Sequence, residues 1–261
     1  MTFTDARRRR TNARSGGVSP VFLGLLAVFA LAAWGTWTAY GTGARLAIFV
    51  FVLAGWVISL CLHEYAHARS AFHGGDVTVA AKGYLRLNPF AYSHAMLSVV
   101  LPVIFIIAGG IGLPGGAVYI ERAMISGRWK HSLVSAVGPL VNLLCAAALL
   151  VPLGTGVLTG APVAFAAACG FLGFLQVTAT LLNLLPVPGL DGYGIVEPWL
   201  SYEVRQQLAP ISRFGLLAVF LVLWIPAVNE LFFGWVYDLF SVFGVSPQLA
   251  SLGNGLFRFW Q

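Results

Sequence analysis

Long apolar stretches separated by short polar ones make up almost the whole chain. After a polar, Arg-rich start, apolar stretches run over about 20–40, 45–67, 132–153 and 161–185, and a fifth runs from Arg213 to about 229. About 20 apolar residues are needed to cross a hydrocarbon core of about 30 Å, so each of these predicts a transmembrane helix. A further stretch, 95–113, is apolar but holds Pro102 and ends in Gly109-Gly110-Ile111-Gly112. Between 74 and 92 the residues alternate weakly (Val77, Val79, then Tyr84, Leu85, Leu87), punctuated by Gly74-Gly75, Gly83 and Asn88-Pro89. That pattern predicts a short hairpin or extended loop. Past residue 230, Trp235, Phe240, Phe243 and Trp260 predict an interfacial or half-spanning end. No internal repeat is visible. The expected fold class is an all-α polytopic membrane protein of about five or six transmembrane helices, with a re-entrant segment and a short β-hairpin.

Composition sharpens this reading. Of 261 residues, 59% are hydrophobic and only 9% charged, against roughly 25% charged in soluble domains. That excludes an ordinary soluble protein. The polar stretches are too short for a separate soluble domain. The expected organisation is a disordered basic tail, 1–17, and a single membrane-embedded domain, 18–261, with its core at 45–195. Arg7–Arg10 and Arg14 cluster in the tail without an aromatic or Gly-rich context for nucleic acid. They are a topology signal for a cytoplasmic N-terminus. The apolar segment that follows is too long for a signal peptide, and Ala32-Ala33-Trp34 is a poor cleavage site. The first span then exits and the second returns, which places Arg69, Lys82 and Arg86 inside. Arg122, Arg128 and Lys130 also belong inside. Both loops can be cytoplasmic only if 95–113 dips in and returns, or lies at the interface. The expected location is the cell membrane, multi-pass. Cys61, Cys145 and Cys169 show no CxxC spacing and read as small core residues.

Chemistry enters at His63-Glu64-Tyr65-Ala66-His67, at the end of the second apolar stretch. Ionisable groups at membrane depth are costly and mark functional sites by default. On a helix, positions i and i+4 share a face, so His63 and His67 can aim two imidazoles at one metal ion. Glu64 projects about 100° further round the helix. It can reach a metal-activated water as general base without being a ligand. A catalytic zinc needs a third protein ligand. The best candidate is Asp191, in Asn183-Leu184-Leu185-Pro186-Val187-Pro188-Gly189-Leu190-Asp191-Gly192. Pro186, Pro188 and Gly189 break a helix just where the chain returns to the cytoplasmic side. The bland alternative for Asp191 is a helix-ending turn, since Asp-Gly is common in turns.

Three motifs together resemble the site-2 proteases, zinc metalloproteases that cut transmembrane helices within the membrane. These are His63-Glu64-x-x-His67, the Asn183-to-Gly192 stretch and Gly138-Pro139-Leu140-Val141-Asn142. The likeness covers roughly 45–195 and points to the compact bacterial branch, without a PDZ or CBS domain. Ala66 stands where many members have Gly. The resemblance implies that His63, His67 and Asp191 bind one Zn2+ per chain, that Glu64 is catalytic and that Asn183 contacts the substrate backbone. The broken backbone around Pro186 and Pro188, and the 74–92 segment, are candidates to receive an unwound substrate by edge pairing. Asn142 is a candidate hydrogen-bonding group for a ligand carboxylate, a helix partner or substrate. His94 and His131 read as interfacial residues, and Gln176, Asn229 and Glu230 as packing or cavity groups.

The expected function is an intramembrane zinc endopeptidase acting in regulated intramembrane proteolysis. Its partners are the lipid bilayer and single-span protein substrates such as anti-sigma factors. Nucleic acid is not among them. The alternative is a catalytically silent membrane protein that holds metal or client helices, for which Glu64 has no use. A metalloprotease of another family would commonly use a second glutamate as third ligand, which Asp191 argues against.

Overall fold

A computed structural model describes residues 17–92, 103–104, 106–107 and 118–260. The described chain is helical apart from one two-stranded pairing. In order it forms β1 (Gly17–Val18), α1 (Pro20–Thr38), α2 (Gly41–Gly74), α3 (Thr78–Ala81), β2 (Arg86–Leu87), α4 (Arg128–Gly154), α5 (Val163–Leu184), α6 (Asp191–Val196), α7 (Tyr202–Leu208), α8 (Gly215–Leu223), α9 (Pro226–Val242) and α10 (Pro247–Phe257). Short 3-10 turns occupy Arg122–Met124, Glu197–Trp199 and Ala209–Phe214. The local chemistry explains the boundaries. Ser19 caps α1, its Oγ accepting from the Phe22 N–H, and Pro20 opens the helix. The Gly75 backbone, at φ 129°, ends α2.

Five helices among the described residues are long and apolar enough to cross a membrane: Pro20–Thr38, Gly41–Gly74, Arg128–Gly154, Val163–Leu184 and Tyr202–Leu223. The first four match the apolar stretches read from sequence. The fifth starts before Arg213 and stops at Leu223, because Pro226 opens a new helix rather than continuing the old one. α9 and α10 fold back on the bundle, with Phe240 and Phe257 fully buried. Phe257 lies 5.1 Å from Phe49 and 5.4 Å from Phe171, ring centre to ring centre. At eleven residues, α10 is too short to cross a hydrocarbon core.

α5 is the most enclosed of the long helices. Phe171, Leu172 and Leu175 pack there against Ile48, Phe51 and Trp56 of α2. Phe174 and Val177, on another side, meet Leu150 of α4 and Phe232, Val236 and Phe240 of α9. A buried hydrogen bond of 2.7 Å from Gln176 Nε2 to Ser59 Oγ joins α5 to α2. The third apolar cluster surrounds the last turns of α2, where Cys61, Ala68 and Ala71 pack with Tyr84, Leu85, Tyr92, Ile125 and Val134.

The expected hairpin within 74–92 does not form among the described residues. Asp76 Oδ1 accepts from both the N–H and the hydroxyl of Thr78, which starts the helical turn α3 where a first strand was expected. β2 pairs instead in parallel with β1, Gly17 opposite Arg86 and Val18 opposite Leu87. Gly17, counted above with the disordered tail, is therefore part of the fold. Residues 95–113 lie largely outside the described residues. Their described flanks both meet α2 at one level: Tyr92 Oη donates to the Cys61 carbonyl at 3.0 Å, and the Val118 N–H donates to Glu64 Oε2 at 3.2 Å.

Candidate metal centre

Helix α2 is 34 residues long, about 50 Å at 1.5 Å per residue. It thus outruns the hydrocarbon core and carries His63, Glu64 and His67 near one end of the bundle. All three are buried. The i, i+4 spacing brings the two Nε2 atoms to 3.0 Å of each other. Asp191, the first residue of α6, reaches the same point. Its Oδ2 lies 3.2 Å from His63 Nε2 and its Oδ1 3.3 Å from His67 Nε2. Among the described residues, these three form the group of metal-ligating side chains close enough to share an ion.

The spacing and chemistry of the donors fit zinc. Ligand atoms held about 2.0–2.2 Å from a tetrahedral zinc stand about 3.3–3.6 Å apart, close to the separations seen. The outer nitrogens are already engaged. His67 Nδ1 donates to the Val134 carbonyl at 2.6 Å, and His63 Nδ1 to Asn142 Oδ1 at 2.9 Å. Carbonyl oxygens can only accept, so each Nδ1 carries the proton of the neutral ring. Both Nε2 lone pairs then face one another and a carboxylate. Such a group can hold a cation at its centre, and outer partners of this kind set ligand tautomer and orientation.

Gly138 of α4 explains why the intervening motif begins with glycine. A β-carbon there would overlap His67 Nε2 and stand 2.6 Å from His63 Nε2. Only a bare backbone lets α4 pass the ligand pair. One turn on, Asn142 is buried and turned to the His63 ring. Its amide oxygen is thus engaged by the His63 ring. Asn183 is buried in the last turn of α5, eight residues before Asp191, and no described hydrogen bond engages its side chain. Pro186 and Pro188 lie in the non-helical turn between α5 and α6, Pro186 exposed and Pro188 half-buried.

Glu64 lies beside this cluster, with the Val118 N–H on its carboxylate. Sequence reasoning did not single out the groups that hold Val118 there. Asp76, fully buried, accepts from the Glu121 N–H at 2.7 Å. A lone Asp after Gly74-Gly75 was a visible capping signal; a backbone N–H such as Val118 leaves none. Of the weaker candidates, His131 donates to the Ile125 carbonyl and Asn229 to the Leu223 carbonyl, away from the centre. His94 lies outside the described residues.

Comparison with known proteins adds a family context. The chain is 48% identical over 245 residues to a protein of Mycolicibacterium smegmatis named "Putative zinc metalloprotease Rip2", covering 93% of this chain and 94% of that one. A protein of the same name from Mycobacterium tuberculosis is 48% identical over 246 residues, with the same coverage. "Putative zinc metalloprotease YwhC" of Bacillus subtilis is 30% identical over 191 residues, 71% of this chain and 84% of that protein. No protein-family model matches the chain, and no solved structure does so significantly.

Proposed function

This chain belongs to the compact branch of the site-2 protease family, and from that membership we propose that it is a zinc endopeptidase cutting transmembrane segments of other proteins within the membrane. Its family supports a metalloprotease function, and its five long apolar helices fit a membrane protein. The single observation that carries the finer reading is the convergence of His63, His67 and Asp191 beside a buried Glu64 on membrane-embedded elements.

The residues divide the work as follows. His63, His67 and Asp191 hold one zinc ion. Such an ion supplies Lewis-acid polarisation of a peptide carbonyl and lowers the pKa of water. Glu64 accepts the proton of the attacking water on its carboxylate and returns it to the departing amine. Asn142 and the Val134 carbonyl keep both imidazoles in the neutral, metal-facing tautomer. The free amide of Asn183 and the broken backbone at Pro186–Pro188 receive the unwound substrate, whose own backbone groups lose their helix partners in a medium that cannot replace them. The substrate class is a single-span protein such as an anti-sigma factor.

The test is purified protein in detergent with a fluorogenic transmembrane peptide. Cleavage inside the apolar segment, abolished by a zinc chelator and restored by zinc, is expected. Cleavage only of soluble loops, or bound zinc with no cleavage at all, would defeat this reading and favour a silent metal- or helix-binding protein.

The proposed topology places the N-terminus in the cytoplasm, with 95–113 entering and leaving on the cytoplasmic side. The meeting of Tyr92 and Val118 with one level of α2 supports it. In a cysteine-free background, single cysteines at positions 75 and 127 should label from the same side. Labelling from opposite sides would refute it.

A further inference from the structure

We infer that the segment Val118–Arg122 is a strap joining the catalytic base to the third ligand, and that Arg122 is a positioning residue for Asp191. The inference rests on the reading of the metal centre above.

The strap is fixed at three places. At its start, the Val118 N–H donates to Glu64 Oε2. In its middle, the Glu121 N–H is held by fully buried Asp76 at 2.7 Å, and Lys82 Nζ donates to the Tyr119 carbonyl at 3.1 Å. At its end, Arg122 Nη1 donates to Glu197 Oε2 at 2.6 Å. Glu197 is in the 3-10 turn that continues α6, six residues after Asp191. The second Arg122 nitrogen lies over the backbone of Gly194, 3.1 Å from where a β-carbon would stand. One guanidinium thus touches α6 both within the helix and just beyond it.

Short α6 needs such a hold. Apart from Asp191 itself, which faces His63 and His67 of α2, the described polar anchors of α6 and the turn after it come from α4: Ser132 Oγ donates to the Ile195 carbonyl at 2.6 Å, and Trp199 Nε1 donates to Ser132 Oγ at 2.9 Å. Arg122 adds a hold from the strap, its second nitrogen reaching Gly194 beside Ser135 of α4. A half-exposed ion pair adds little to global stability, so its removal should not unfold the protein. It should free a six-residue helix to shift, and ligands must be held to within about 0.5 Å to work. The carboxylate carried at the first position of that helix is Asp191.

The experiment uses full-length zinc-loaded protein in detergent. Zinc release to a chromophoric chelator, the melting temperature of the zinc-free form, and kcat and KM on a transmembrane peptide are compared. The variants are Arg122→Ala, Arg122→Lys and the reversed pair Arg122→Glu with Glu197→Arg. Arg122→Ala should release zinc about 10-fold faster and lower kcat to a similar degree, as loss of an outer partner of a metal site does. KM and the zinc-free melting temperature should stay at wild-type values. Arg122→Lys should fall between, and the reversed pair should recover zinc retention. Wild-type zinc release in Arg122→Ala overturns the inference. So does a reversed pair that stays as defective as Arg122→Ala. If wild-type protein keeps zinc but cuts no transmembrane peptide, the substrate class fails while zinc release still decides on Arg122. Wild-type protein that binds no zinc overturns both.

Discussion

Glu64→Gln should abolish proteolysis while leaving zinc bound. The substitution keeps the shape of the side chain and an oxygen for the Val118 N–H, so the buried setting at the end of α2 is preserved. It removes only the capacity to take a proton. General-base contributions are typically about 10²–10⁴-fold in rate, and a loss in that range is expected. His63→Ala or His67→Ala should differ in kind, losing metal and activity together. Zinc content by elemental analysis, beside turnover of a transmembrane peptide, separates the two patterns. A zinc-loaded Glu64→Gln protein with wild-type turnover would remove Glu64 from the mechanism.

Asp191→Asn should lose both zinc and activity. The carboxylate offers one oxygen to each imidazole, at 3.2 Å and 3.3 Å. An amide replaces one of those oxygens with an NH2, which would donate to an Nε2 lone pair and occupy the electrons meant for the metal. It also removes the negative charge that balances the cation. Asp191→Glu keeps the charge but moves the donor, and misplacement of about 1 Å can cost roughly 100-fold in rate. That variant should retain some metal and little activity. If Asp191 merely begins α6, Asn serves as well there and wild-type zinc and turnover would follow. That outcome would redirect the search to Glu197, Glu203 or Glu230. Glu197 is the least suited of these, being committed to Arg122.

The parts of this site that lie on local periodicity were legible in the chain. His63 and His67 share a helix face by spacing alone, and the apolar stretches marked the four helices from Pro20 to Leu184 with small errors at their ends. Asp191 was legible through the prolines that break the preceding helix. What escaped depends on contacts between distant segments. Nothing in the order of residues says that Gly138 must clear two imidazoles, or that Val134 lends a carbonyl to His67. The pairing of β1 with β2 escaped for the same reason, since two residues on each side carry no periodicity. The break at Pro226 is hidden in the sequence because apolar composition continues through it, whereas hydrogen bonding does not.

The bonds from His63 to Asn142 and from His67 to Val134 both cross from α2 to α4. This imposes an order on the protein's birth. When α2 first enters the bilayer its histidines lack the partners that select their tautomer, and their carboxylate companion lies over 120 residues downstream, not yet synthesised. The helix must travel as an empty holder. Only after α4 docks are the rings aimed, and only after α6 arrives is the third donor present. On the proposed reading, metal capture is then a late event in biogenesis, and a newly inserted chain stays inert until α6 arrives.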